Sequence, residues 1–298
     1  YASRGLGDVY KRQGFTFLLG GGPVEMIFAF IAAGVGNLIR MKLIKHHYTL
    51  FLNIAVSISA ACLTYAVCLH MAELLFHISA VHEAGYICSM LFIIPGFPFI
   101  TSGIDLAKLD LRSGLERLTY SIIIVLVATM FAWIMALLLK LQPQDFAALH
   151  LGNMTHLFLR LIASFCGVFG FSIMFNSSVY MAATAACIGA VANTLRLELV
   201  DFTRMPSAAA AFIGALTAGL LASIIKRNHG YPRISLTVPS IVIMVPGLYL
   251  YRAIYNFGIM SLTEAVSWFA AAIMIIVSLP LGLIFARILT DRTFRYCT

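Results

Sequence analysis

The chain has 298 residues, 61% of them hydrophobic and 11% charged, with a formal net charge of +8 and a mean hydropathy of +0.95. That balance excludes a soluble globular domain. It predicts an all-α polytopic membrane protein, since backbone that crosses lipid must satisfy its own hydrogen bonds. The basic residues lie in short segments between apolar runs, so the positive charge does not point to nucleic acid.

Residues 1–13, YASRGLGDVYKRQ, are polar and basic and match nothing that follows. They resemble translated adapter sequence and are set aside as an extraneous leader. Residues 14–142 are expected to form a first membrane repeat of four complete spans plus a stub at Gly14–Leu19, its opening span expected where residues 1–13 stand. The complete spans are expected at Pro23–Ile39, Thr49–Leu69, Gly85–Ile104 and Leu118–Leu139. Residues 143–298 form a second repeat of five spans, at Met154–Phe175, Val179–Leu195, Pro206–Ile225, Ile234–Ile254 and Ala265–Ile288. Each run approaches the ~20 residues that cross a bilayer.

The repeat is legible as ordered matches. Gly14-Phe15-Thr16 pairs with Gly170-Phe171-Ser172, and Asn37-Leu38-Ile39-Arg40 with Asn193-Thr194-Leu195-Arg196. Pro95-Gly96 pairs with Pro246-Gly247, and Ser113 and Glu116 with Ser261 and Glu264. Five spans is an odd number, so the two copies must be inserted upside down relative to one another. Charge agrees. One set of alternate loops carries Arg40, Lys42, Lys45, Lys108, Arg112, Arg117, Lys226, Arg227, Arg233, Arg287, Arg292 and Arg295, whereas the other holds only Lys140, Arg196, Arg204 and Arg252. The basic set, with the C-terminus, is assigned to the cytoplasm.

The fourth span is broken by Pro95-Gly96-Phe97-Pro98, and its repeat partner by Pro246-Gly247. Proline and glycine free backbone groups that lipid cannot satisfy, so such breaks belong where protein or a water-filled cavity covers them. Two broken spans in matching positions point to a transporter's substrate site. Pro95, Gly96, Pro98, Pro246 and Gly247 are therefore candidate substrate-binding positions. Thr101, Ser102 and Asp105 follow the first break on roughly one helical face. Asp105 reads either as a proton-coupling carboxylate or as an interfacial acid paired with Lys108 or Arg112. Tyr251 and Arg252 follow the second break, where the arginine either neutralises a substrate carboxylate or anchors the outer interface.

Other polar residues have structural explanations. Glu116 and Glu264 each stand three residues after a serine, the capping-box spacing. Asn37 and Asn193 suit interhelical hydrogen bonds, and Arg160 can snorkel to an interface. The alanine and glycine stripes Ala182, Ala186, Ala190 and Ala211, Ala215, Gly219 suit close helix packing. Cys62, Cys68, Cys88, Cys166 and Cys187 sit in apolar runs, Cys297 does not, and neither they nor the histidines have metal-ligand spacing. No metal or other cofactor is expected.

The segment from Pro95-Gly96-Phe97-Pro98 to Gly114-Leu115-Glu116-Arg117, together with Pro246-Gly247-Leu248-Tyr249-Leu250-Tyr251-Arg252, resembles the bacterial threonine/serine exporter family. The likeness runs from about Gly14 to the end. It extends to a two-subunit dicarboxylate exporter whose halves are separate chains. The resemblance implies ten spans, a cytoplasmic N-terminus, a soluble N-terminal region and export of small amino acids coupled to the proton gradient. It places the chain in the bacterial cytoplasmic (inner) membrane as a multi-pass antiporter. Its partners are then protons, lipid and a small amino acid or dicarboxylate, and homo-oligomerisation stays open. A dicarboxylate (succinate-type) exporter is the alternative and a channel a weaker one. No HExxH, GxSxG or paired-aspartate motif suggests an enzyme.

Topology is directly testable in a cysteine-free background. A cysteine introduced at His77 should react with an impermeant thiol reagent from outside the cell, and one at Lys45 should not. The opposite labelling would reverse the orientation.

Overall fold

The computed structural model describes residues 23–76, 83–140 and 153–295. The leader, the Gly14–Leu19 stub and the segment around His77 lie outside the described residues. Twelve helices account for all regular structure among those described. They are α1 (Pro23–Lys45), α2 (Leu50–Phe76), α3 (Glu83–Met90), α4 (Gly96–Ala107), α5 (Leu111–Leu138) and α6 (Asn153–Met174). The rest are α7 (Val179–Thr203), α8 (Ser207–His229), α9 (Arg233–Val242), α10 (Gly247–Gly258), α11 (Leu262–Thr290) and α12 (Arg292–Arg295).

Seven of these helices (α1, α2, α5, α6, α7, α8 and α11) are long and apolar enough to cross a membrane, and α9 and α10 are so only when taken together, as a pair bent by 44°. Their outer faces are greasy: Leu63, Val67, Leu138, Val266 and Met274 are all exposed. Water would not tolerate so continuous an apolar surface, whereas lipid does. The protein is thus an all-α polytopic membrane protein. Several helices outrun their apolar stretches. The sequence ends two spans at Ile39 and Leu195, but α1 continues to Lys45 and α7 to Thr203. Arginine, lysine and leucine are good helix formers, so the helix persists where hydropathy fades.

The halves repeat at the level of single hydrogen bonds. Around the first break, Ile93, Ile94 and Gly96 donate their amides to the carbonyls of Met90, Leu91 and Ile94. Around the second, Met244, Val245 and Gly247 donate to Ile241, Val242 and Val245. Pro95 (φ −82°, ψ 66°) and Pro246 (φ −82°, ψ 56°) cap the following helices with nearly the same backbone. Further on, Leu109 and Met260 both take positive φ, at 64° and 61°. This register corrects one match. Asp110, not Ser113, is the counterpart of Ser261: both are N-caps with φ near −80° and ψ of 73°. The Asp110 carboxylate accepts the Ser113 amide at 3.3 Å, while Glu116 pairs with Arg112 at 3.2 Å instead of closing a capping box. At Ser261 no side-chain cap bond forms.

Packing shows the inversion. The end of α4 meets the start of α5, where Leu106 covers Gly114, and Gly103 lies against Pro280 late in α11. The end of α10 leads into the start of α11, and Gly258 lies against Trp133 late in α5. Helices α4 and α10 therefore finish at opposite ends of the bundle. Each also crosses to the other half. Ile100 of α4 belongs to the core built by α6–α11, while Tyr251 and Tyr255 of α10 belong to the core built by α1–α3 and α5. A central cluster joins Phe99 and Leu250, which are matched positions of the two repeats, with Val125 and Ala272.

Helix α11 packs along α8 through glycine. A Cβ at Gly282 would lie 2.6 Å from the Phe212 carbonyl oxygen and 2.9 Å from the Leu216 amide nitrogen. Those atoms are backbone and cannot swing aside. Gly282→Ala should lower the melting temperature in detergent, at a cost of about 1–3 kcal/mol. Gly34→Ala, where a Cβ meets no described atom within 4 Å, should not.

Candidate functional site at the crossed helix breaks

The two breaks lie against each other, and their contact is reciprocal. A Cβ on Gly96 would meet Val242 Cγ1 at 3.0 Å and Val245 Cγ2 at 3.3 Å. One on Gly247 would meet Leu91 Cδ2 at 2.8 Å and Ile94 Cδ1 at 2.6 Å. Leu91 and Ile94 occupy in the first half the places of Val242 and Val245 in the second. Glycine permits this approach because it carries no Cβ. The crossing itself is filled by these side chains, so the open volume lies beside it.

That volume is a cavity of about 130 Å³, bounded by Leu91 from the first broken span and by Met244, Pro246, Gly247 and Tyr249 from the second. Arg196 of α7, Ser207 at the start of α8 and Ile275 of α11 also line it. It reaches from the α7–α8 turn towards the crossing. Among the described residues, its only charged lining residue is Arg196.

Arg196 was expected in an outer loop. Instead α7 continues through it, and its Nη1 donates a long 3.4 Å hydrogen bond to the carbonyl of Met244, just ahead of the break. Its Nε is buried and has no hydrogen-bond partner among the described residues. The same stretch of α7 carries two more such atoms, Asn193 Oδ1 and Thr194 Oγ1. Asn193 does make the interhelical bond expected of it, from Nδ2 to Ser164 Oγ at 2.9 Å. Of these residues only Arg196 lines the cavity, and since buried polar atoms are nearly always satisfied, its unpartnered Nε marks a place for polar contents. Nearby, Arg160 does not snorkel. Its side chain is 13% exposed and bridges Glu198 and Asp201 at 2.9 and 2.5 Å, clamping α6 to α7.

The other candidates are placed differently. Thr101 and Ser102 are buried, but their hydroxyls donate within α4, to Phe97 and Phe99 carbonyls at 3.1 and 2.8 Å. Asp105 pairs with neither Lys108 nor Arg112. Its Oδ2 accepts from Arg117 Nη1 at 2.7 Å, which ties α4 to α5 near their turn. Arg252 is no interfacial anchor: it is 9% exposed and its guanidinium lies 4.7 Å over the ring of Trp268. Tyr249 meets the same ring edge-on at 5.3 Å, and Tyr251 packs among Tyr86 and Tyr255. Of the sequence candidates, the structure brings Pro246 and Gly247 to the cavity wall. Pro95, Gly96 and Pro98 shape the crossing behind it, while Thr101, Ser102, Tyr251 and Arg252 are not part of that wall.

Arg196 escaped the sequence reading because an arginine close to the end of an apolar run looks interfacial. The available signal was its place in the repeated Asn-x-x-Arg pattern, one turn after Asn193.

The sequence matches two family models. One, described as Threonine/Serine exporter, ThrE, covers residues 160–289. Another threonine/serine exporter model covers residues 13–139. The chain belongs to the threonine/serine exporter family. No curated protein and no solved structure matches it. The exporter is thus a multi-pass transport protein for amino acids rather than an enzyme.

Proposed function

We propose that the exporter moves threonine and serine out of the bacterial cytoplasm by proton antiport, through alternating access about the crossed breaks. The observation that supports this most is the Arg196–Met244 pair in the cavity wall. A guanidinium and a freed carbonyl, held together by one long bond, offer the two contacts a zwitterion needs. The substrate carboxylate takes the Arg196 guanidinium as a charge-assisted partner. The ammonium donates to the Met244 carbonyl, and the Ser207 hydroxyl is available to a substrate hydroxyl. With one cation in the wall, the cavity suits a single carboxylate better than a dicarboxylate. The filled crossing argues against a continuous pore.

Pro246 and Gly247 keep the second break unwound, and Pro95, Gly96 and Pro98 do the same for the first. Rocking one half against the other would exchange their parts, as inverted repeats allow. The matched break and Arg40 would then face the opposite end of the bundle. Asp105 is the proposed proton carrier. Protonation would release it from Arg117 and uncouple α4 from α5, the motion that such an exchange requires. The basic ends of α1, α4, α8 and α11 support a cytoplasmic C-terminus.

Two measurements in proteoliposomes test these parts separately. Arg196→Gln should weaken threonine binding roughly 10- to 100-fold, the loss of a hydrogen bond to a charged group, with Arg196→Lys intermediate. Unchanged affinity in Arg196→Gln would remove the cavity from the mechanism. Asp105→Asn should keep threonine exchange while losing export driven by the proton gradient. If its export responds to the gradient as in the wild type, Asp105 is a structural acid.

A further inference from the structure

A second cavity, of about 170 Å³, lies at the end of the bundle where α4 and α11 finish. Its chemistry differs from that of the first. Among the described residues, Lys108, Arg233 and Arg287 line it with a single carboxylate, Asp291. The remaining wall is mostly apolar and includes Ile234, which is half exposed on the outer surface.

The cations are held in place by other groups. Arg233 donates from Nη1 to Thr290 Oγ1 at 3.0 Å and from Nη2 to the Gly219 carbonyl at 3.2 Å, so its bonds go to neutral oxygens. Arg287 stands 3.6 Å from Asp291 and lies 4.0 Å over the ring of Phe294. That ring is carried by α12, and Arg295 pins α12 by donating to the carbonyls of Ile288 and Leu289 at 3.1 and 3.3 Å. Lys108 makes no ion pair among the described residues. Arg287 near the end of α11 complements the partial negative charge of that helix terminus, but Arg233 opens α9, where a positive charge is unfavourable. Helix dipoles therefore do not account for the set, and one carboxylate does not neutralise it.

We propose that this cavity binds the phosphate-bearing headgroup of an anionic phospholipid. Cations at the mouth and apolar side chains along the lipid-facing wall match a ligand with an anionic head and hydrocarbon tails. A basic pocket between spans at the polar boundary is a common seat for such headgroups. The lipid would bridge α4, α9 and α11, at the opposite end of the bundle from the Arg196 cavity, and would not depend on which substrate is carried.

The test is native mass spectrometry of the full chain after exchange into phosphatidylglycerol, phosphatidylcholine or inorganic phosphate. The wild type should retain phosphatidylglycerol over phosphatidylcholine. Arg287→Gln should reduce that retention roughly fivefold, and Arg233→Gln with Arg287→Gln further still, since each basic residue near the surface contributes on that order. Arg204→Gln, at the other end of the bundle, should retain lipid as the wild type does. Size-exclusion profiles will show whether the double variant folds, and the single variant alone carries the comparison if it does not. Equal retention in wild type and Arg287→Gln would overturn the site. So would equal retention of the two lipids, or displacement of phosphatidylglycerol by inorganic phosphate, which would assign the pocket to a free anion.

Discussion

Two helices that must break inside a membrane need something to cover the break. In this exporter each break covers the other. The half-turns ahead of Gly96 and Gly247 press against each other through Val242, Val245, Leu91 and Ile94. A larger residue at either glycine would push the broken spans apart. The rest of the bundle follows from that contact. Once the chain has bent at the crossing, α4 must continue into the second half and α10 into the first. The central cluster of Phe99, Leu250, Val125 and Ala272 fills the space between them. The exporter is therefore two repeats whose second half-helices have been exchanged, and neither half has a complete core without the other.

Hydrogen bonding sorts the polar residues along these helices. Hydroxyls inside single helices, such as those of Thr101, Ser102, Thr129 and Ser278, donate to carbonyls up to one turn earlier and so add little demand on the surroundings. Charged side chains cannot be satisfied that way. Arg160 is matched by two carboxylates and Asp105 by Arg117, and both pairs lie where helices meet. Arg196 is the exception at the cavity, with a carbonyl at 3.4 Å and no carboxylate partner among the described residues. In a medium that penalises unsatisfied charge, an unmatched arginine beside open volume is the feature that most separates a binding site from a packed interior.

Much of this was legible in the sequence. Apolar runs marked most of the spans, although the expected Gly85–Ile104 crossing divides into α3 and α4, neither long enough to cross alone, and proline with glycine set both breaks, because those residues change backbone chemistry wherever they stand. Side-chain partners were less legible. Thr101, Ser102 and Asp105 share a helical face, yet spacing along one helix does not say what the neighbouring helix presents. For Asp105 that neighbour is Arg117, twelve residues away across a turn. Hydropathy also hid Arg196 and Arg252, since an arginine near a span's end resembles an anchor until the helix is seen to continue or the side chain to turn inward. The Ser-x-x-Glu pattern at Ser113 misled for a related reason. Asp110 is an equally good cap three residues earlier, and only the turn's backbone decides between them.

The reciprocity of the glycine contact bears on ancestry. Because matched residues meet matched residues, the surface that joins the halves is isologous, as in a two-fold symmetric dimer. An interface of that kind requires only one kind of surface. A single half-length polypeptide, inserted into the membrane in both orientations, would already carry everything needed to form the crossing with its own upside-down copy. One continuous chain leaves the two halves free to differ, as the unequal partners of the equivalent positions Thr101 and Arg252 do.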